Sequence, residues 1–169
     1  MLIEFNSSSP ELGKEVFIAQ NAVVIGDVSI GDNSSIWFNS VVRGDVHFIR
    51  IGSRTNIQDS SVLHVRKGQN PLIIGDEVTI GHRVVAHGCT INSKTLIGIG
   101  SIILDGAVIQ ENSIIAAGSL VPPGFVVPSG KLAIGSPCKI KRDLSETEIE
   151  SIRILSSNYV GYSKDYLNI

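Results

Sequence analysis

Three of the four histidines in this chain, His64, His82 and His87, fall within one short stretch. Imidazole is the commonest protein ligand for transition metals, and three neutral imidazoles around one ion leave a fourth position where water can be bound and activated. The hydrogen-bonding run Asn56-Ile57-Gln58-Asp59 precedes His64, and the charged triplet Arg43-Gly44-Asp45 lies upstream of it. Whether these side chains can meet depends on the backbone that carries them.

That backbone is a repeat. Aliphatic residues recur every six positions at Ile18, Val24, Ile30, Ile36 and Val42, then at Ile51, Ile57 and Leu63, at Ile74, Ile80 and Ala86, and from Ile91 through Ile97, Ile103, Ile109 and Ile115 to Val121. A six-residue period fits neither an amphipathic helix nor a long alternating strand, so it predicts a mainly β solenoid, a parallel β-helix built from hexapeptides. Three hexads close a triangular coil of about 18 residues whose inward aliphatics stack at the strand spacing of about 4.8 Å. Residues 13 to 135 make about seven coils in a single domain spanning 1–169. Gly follows many of the aliphatics, as in Ile30-Gly31, Ile51-Gly52 and Ile80-Gly81, and is read as serving a corner that needs positive φ or little bulk.

Departures from the period place the chemistry. Three residues are inserted near 46–50 and five more in the loop after His64, and such insertions bulge outward without moving the coils. His64 and His87 are 23 residues apart, and removing the five inserted residues leaves one coil, so the two imidazoles stack on one face. Arg43 falls one coil below them, whereas Asp59 and His82 form a second column on another face. Two stacked imidazoles suit a single ion but lack a third ligand. If prisms pack around a threefold axis, His82 of one chain meets the His64 and His87 pair of the next and completes the set. The fourth histidine, His47, is read as a solvated or hydrogen-bonded wall residue, and Trp37 as a wall or interface residue.

The rest of the composition narrows the function classes. The net charge of −2 without a basic run gives no footprint for nucleic acid or an anionic membrane. No apolar run approaches the roughly 20 residues of a spanning helix. Cys89 and Cys138 form no C-x-x-C pattern, and the N-terminal residues do not read as a secretory signal, so a cytoplasmic location is expected.

Taken together, Arg43-Gly44-Asp45, Thr55-Asn56-Ile57-Gln58-Asp59, His64 and the segment from Ile80 to Cys89 resemble the γ-class carbonic anhydrases over residues 10 to 166. The resemblance implies left-handed winding, against the usual right-handed crossover rule. It also implies a homotrimer with three intersubunit metal sites and the reversible hydration of CO₂ to bicarbonate. His64 and His87 would be ligands from one subunit and His82 from its neighbour, holding Zn²⁺, with Fe²⁺ or Co²⁺ as other fitting ions. Gln58 would hold the metal-bound water with support from Asn56, and Arg43, Asp45 and Asp59 would form structural ion pairs, Arg43 with Asp59 between subunits. Tyr159 would face the site or serve as a core or interface residue.

This chain departs from the best-known members where they carry proton-shuttling acids. Val46 stands in place of a glutamate, and Arg66 and Lys67 occupy a loop that is acidic in those relatives, so the activity is expected to be weak for lack of a proton relay. Ser145-Glu146-Thr147-Glu148 reads as a capping box opening a C-terminal α-helix over about 146–166. Competing readings are a hexapeptide-repeat acyltransferase or CoA-thioesterase-like protein, and a metal-holding or ferri-siderophore-binding trimer without catalysis.

Overall fold

The computed structural model describes residues 1–168, and they form a parallel β-solenoid of about seven turns followed by one C-terminal helix, Glu146–Leu167. Its three faces follow from the hexads. The first face carries Val62–His64, Val85–His87, Ile102–Ile103 and Leu120–Val121. The second carries Leu72–Ile74, Thr90–Ile91, Val108–Ile109 and Val126–Val127. The third carries Phe17–Ile18, Ser35–Ile36, Asn56–Ile57, Thr79–Ile80, Leu96–Ile97 and Ile114–Ile115. The strand Val41–Ile51 turns a corner, pairing with the first face through Val42 and Leu63 and with the second through Ile51 and Ile74.

The inward column is the predicted one. From Ile57 and Leu63 through Ile80, Ala86 and Ile91 to Val121, every hexad aliphatic is buried, and most are wholly inaccessible. Each such Ile or Leu contributes about 1.5–3 kcal/mol by leaving water, so the core is one continuous aliphatic stack. Ile18 is only partly buried because the first coil has no hexad column beneath it.

The glycines that directly follow the aliphatics act through close approach, and left-handed backbone is supplied two positions further on. A Cβ at Gly81 would stand 2.8 Å from Ile99 N, and one at Gly98 would stand 2.5 Å from Ala117 N. Positive φ falls instead three residues past the hexad aliphatic, on Arg54, Glu77, Arg83, Lys94 and Asn112 and, at the same place in other hexads, on Gly100, Gly106, Gly118, Gly124 and Gly130. Buried hydroxyls that the hexad pattern does not single out pin the corners. Ser40 Oγ donates to Gln58 O at 2.8 Å and accepts from Ser61 N, and Ser61 Oγ repeats the link by donating to Gly81 O at 3.1 Å. These links fix the corner that carries Asp59 and His82.

Paired strands extend beyond the hexads. Leu2–Ile3 and Glu11–Leu12 pair with Val23–Ile30 at the start, and Lys131–Gly135 folds back antiparallel on Cys138–Asp143 at the end. The predicted helix is present from Glu146 to Leu167, with Ser145 as N-cap and both capping-box bonds to Glu148 formed. It packs on the third face, with Ile152 buried and Ser156 Oγ donating to Arg54 O at 2.8 Å. No described helix is long and apolar enough to cross a membrane.

Candidate metal centre

The strand register brings His64 and His87 together. Leu63 pairs with Ala86 and His64 with His87, so both imidazoles project from the same side of the first face. His64 Nδ1 and His87 Nε2 stand 3.1 Å apart. This is close to the edge of about 3.3 Å that separates two ligands of a tetrahedral ion with Zn–N bonds near 2.0–2.1 Å.

Each outer nitrogen is held by a carboxylate. His64 Nε2 lies 2.9 Å from Asp45 Oδ1, and His87 Nδ1 lies 2.5 Å from Asp105 Oδ1. An ionised carboxylate only accepts, so the outer nitrogens carry the protons and, in neutral rings, the inner ones present lone pairs to each other. Two facing lone pairs suit a cation between them.

Local irregularities make this arrangement. The three inserted residues lie between the pairings of Gly26 with Gly44 and of Val28 with Ile49, and they lift Asp45 out of the ladder toward His64. Arg43 binds the other oxygen of Asp45. Burial is the largest single influence on Asp45 and pushes its pKa up. The bonds from His64 and Arg43, with the charge of Arg43, outweigh it and leave the carboxyl below its ordinary range. Cys89, behind His87, is pushed up to about 12 by burial and then by the charge of Asp105, which makes it an inert core thiol.

His82 stands on the corner between the third and first faces, above Asp59. Asn56 pairs with Thr79 and Ile57 with Ile80, which stacks the two corners, and His82 Nδ1 lies 2.8 Å from Asp59 Oδ2. Asp59 therefore serves His82 within the chain, as Asp45 serves Arg43 and His64. No three His, Cys, Asp or Glu side chains gather into a metal-holding group among the described residues of one chain.

The other sequence-selected residues collect around the His82 corner. Asn56 and Gln58 are 1% and 4% exposed, Gln58 Nε2 donates to Asn56 Oδ1 at 3.2 Å, and Asn56 Nδ2 donates to Thr79 Oγ1 at 2.9 Å. Gln58 and Tyr159 line a cleft of about 430 Å³ whose other walls include Leu96, Ile97, Ile99, Ala117 and Leu155. Tyr159 meets Trp37 edge-to-face at 5.4 Å, and burial, then the charges of Asp59 and Tyr162, raise its pKa. Trp37 is a buried wall residue whose Nε1 donates to Ser35 Oγ, and His47 accepts from Phe48 N at 2.9 Å. Sequence reasoning missed Asp105. It lies on the next coil, two residues past Ile103, which pairs with Ala86.

Comparison with known proteins agrees with this architecture. The bacterial transferase hexapeptide (six repeats) family matches residues 9–44. A probable carbonic anhydrase of Methanocaldococcus jannaschii is 54% identical over 153 residues, covering 90% of this chain and 96% of its own. The carbonic anhydrase of Geobacillus kaustophilus is 48% identical over 166 residues, covering 98% and 91%. A solved hexapeptide transferase family protein of Anaplasma phagocytophilum superimposes with a TM-score of 0.95 at 43% identity, covering 98% of each chain. The repeat, the paired histidines and these relatives agree: the chain belongs to the γ-class carbonic anhydrase family of hexapeptide-repeat proteins.

Proposed function

We propose that the protein hydrates CO₂ reversibly to bicarbonate, as a homotrimer whose metal is held by His64 and His87 of one chain and His82 of the next. The observation that carries this reading is the pair of inward nitrogens 3.1 Å apart, each backed by a carboxylate. The donor set fits Zn²⁺, and Fe²⁺ or Co²⁺ also suit three imidazoles. An ion held there acidifies a bound water and supplies the nucleophile for CO₂.

The chain's own surfaces support the assembly. Val23, Val41, Val62, Val85, Ile102 and Leu120 stand in register on the outside of the first face, a continuous apolar column beside the histidine pair. Val62 and Ile102 are 41% and 39% exposed in the single chain, and a second copy would cover them. His82 meets Asp59 through Nδ1, which leaves Nε2 as the nitrogen for a partner, and its side chain is 41% exposed. Arg43 and Asp59, 42% and 37% exposed, retain capacity to pair across it.

Around the His82 corner, Gln58 Oε1 accepts a hydrogen bond from the reacting water and so holds it, while Asn56 holds the Gln58 amide in orientation. Tyr159 stays protonated through its raised pKa and donates to a bicarbonate oxygen. The apolar cleft between Leu96, Ile99 and Leu155 admits CO₂. The free thiols Cys89 and Cys138 suit a cytoplasmic setting. With Val46 where a carboxylate would relay protons, export limits turnover, so small buffers such as imidazole raise kcat more than kcat/KM. The test is CO₂ hydration by anaerobically purified protein loaded with Zn²⁺ or Fe²⁺. Slow, buffer-rescued turnover is expected, and no hydration in any buffer with the metal bound would overturn the assignment.

A further inference from the structure

The loop 65–71 is the longest interruption of the hexads, and it touches the metal pocket at one charged point. Arg66 Nη1 lies 3.4 Å from Asp105 Oδ2, while Asp105 Oδ1 takes the His87 Nδ1 proton at 2.5 Å. The loop is closed on itself by Arg66 N donating to Asn70 O at 2.9 Å. Asn70 lies over Gly88, the residue after His87. A Cβ on Gly88 would stand 2.8 Å from Asn70 Cβ and 2.5 Å from Asp105 Oδ1. The loop, the carboxylate and the backbone beside His87 therefore pack as one unit.

The chemistry gives that unit a task. His64 and His87 have two ways to satisfy their facing nitrogens. One is to share a cation. The other is for one ring to move its proton inward and donate to its neighbour, a metal-free bond that removes a lone pair the metal needs. A carboxylate behind Nδ1 keeps the proton of His87 on the outer nitrogen and so disfavours the second arrangement. Asp45, backed by Arg43, does this for His64, and Asp105, backed by Arg66, matches it on the other side. The chain of contacts runs Arg43, Asp45, His64, His87, Asp105, Arg66.

We propose that the loop 65–71 is a clamp in which Arg66 fixes Asp105 and Asp105 fixes the tautomer of His87, making both positioning residues for the metal. The proposal rests on the metal-site reading above. Nitrogen-15 correlation spectra of the histidine rings in the full-length metal-free protein report the tautomer directly. Zn²⁺ titration against a competing chelator reports affinity.

In the wild type, His87 carries its proton on Nδ1. Asp105→Ala moves it to Nε2 and weakens Zn²⁺ binding by about 10–100-fold, the usual cost of losing such a partner. Asp105→Asn retains an acceptor oxygen and falls between the two. Arg66→Gln costs about threefold, since its contact is long and exposed, and costs nothing further in the Asp105→Ala background. Asp105→Ala protein that binds Zn²⁺ within threefold of wild type, or keeps the Nδ1 tautomer, overturns the clamp. If that variant does not fold, unchanged tautomer and affinity in both Asp105→Asn and Arg66→Gln overturn it equally. Wild type that takes up no Zn²⁺ defeats the metal-site reading instead, and the metal-free spectra of the same variants still decide the role of Asp105.

Discussion

The upper coils, residues 91–133, keep the six-residue period without interruption, and their inward residues Ile91, Ile97, Ile103, Ile109, Ile115, Val121, Val127 and Ala133 are all inaccessible. The coils below, residues 42–91, break it three times. The first break lifts Asp45 onto His64. The second raises the loop that carries Arg66 to Asp105. The third shortens one coil, so Ile91 pairs with Ile74 only 17 positions back, and Gly88 takes φ +51° within the shortened stretch. A regular ladder spends its polar backbone on its neighbours and its side chains on the stack. The charged and nitrogenous groups converge where the ladder is locally interrupted.

The largest separation between the two regions is expected from alanine substitutions. His64→Ala or His82→Ala is expected to abolish tight metal binding in the proposed homotrimer while leaving thermal unfolding of the metal-free protein nearly unchanged. Mixing the two variants regenerates some native sites, because a His64→Ala chain still offers His82 and a His82→Ala chain still offers the stacked pair. Metal retained by an isolated monomer would defeat this. Ile109→Ala does the opposite, costing about 2–5 kcal/mol in denaturant unfolding through the cavity it leaves, with metal affinity held.

Glycine substitutions sharpen the contrast at smaller scale. Gly118→Ala in the regular coils meets nothing within 4 Å and has φ +67°, so its cost is the left-handed backbone alone, about 1–2 kcal/mol. Gly88→Ala adds the collisions with Asp105 and Asn70 and should displace the loop, lowering Zn²⁺ affinity as well as stability. Equal behaviour of the two variants in chelator titrations would show that the loop is not coupled to the site. Deleting five residues from the loop, which restores the hexad phase, should leave a folded trimer with weakened metal binding. Loss of folding would misplace the insertion boundary.

What the sequence made legible follows from this contrast. The hexad phase named the inward column, and subtracting insertions placed His64 beside His87 and Asp59 beneath His82, because parallel register is a matter of counting. Counting could not show Asp105. The coil of His87 is shortened between Ala86 and Ile91, so the carboxylate reaches His87 from one position past the paired residue, and only the three-dimensional corner reveals it. Ser40 and Ser61 were equally hidden, since a buried serine has no periodic hydropathy to announce it. The pairing of Arg43 is divided in the same way: its charge suggested Asp59, but the inserted residues place Asp45 closer within the chain.

The smallest expected effect concerns the helix, which packs on the third-face strands Phe17–Ile18, Ser35–Ile36, Asn56–Ile57 and Thr79–Ile80 and so belongs to the lower half. Its first turn is held by Glu148, which accepts from Arg142 Nη1 and Nη2 at 2.8 Å each and from Ser145 N at 2.9 Å. The Arg142 bonds, followed by the Ser145 backbone bond, pull the Glu148 pKa down to about 2. A carboxyl whose folded pKa is depressed stabilises the fold above its unfolded value, about 4.3, and loses that contribution as pH falls toward the folded value. Circular dichroism should therefore show partial helix fraying between about pH 4.3 and pH 2, absent in Glu148→Gln, which lacks the titrating group, and reduced at high salt because the pair is exposed. Buried Ile152 and the Ser156 bond to Arg54 O lie beyond that turn, so fraying should stop before Tyr159. Trp37 fluorescence, which senses Tyr159 at 5.4 Å, should stay constant across the same range. A coincident change in Trp37 would mean that the helix leaves the prism as a unit, and that Tyr159 is held over the cleft by its first turn rather than by its buried middle.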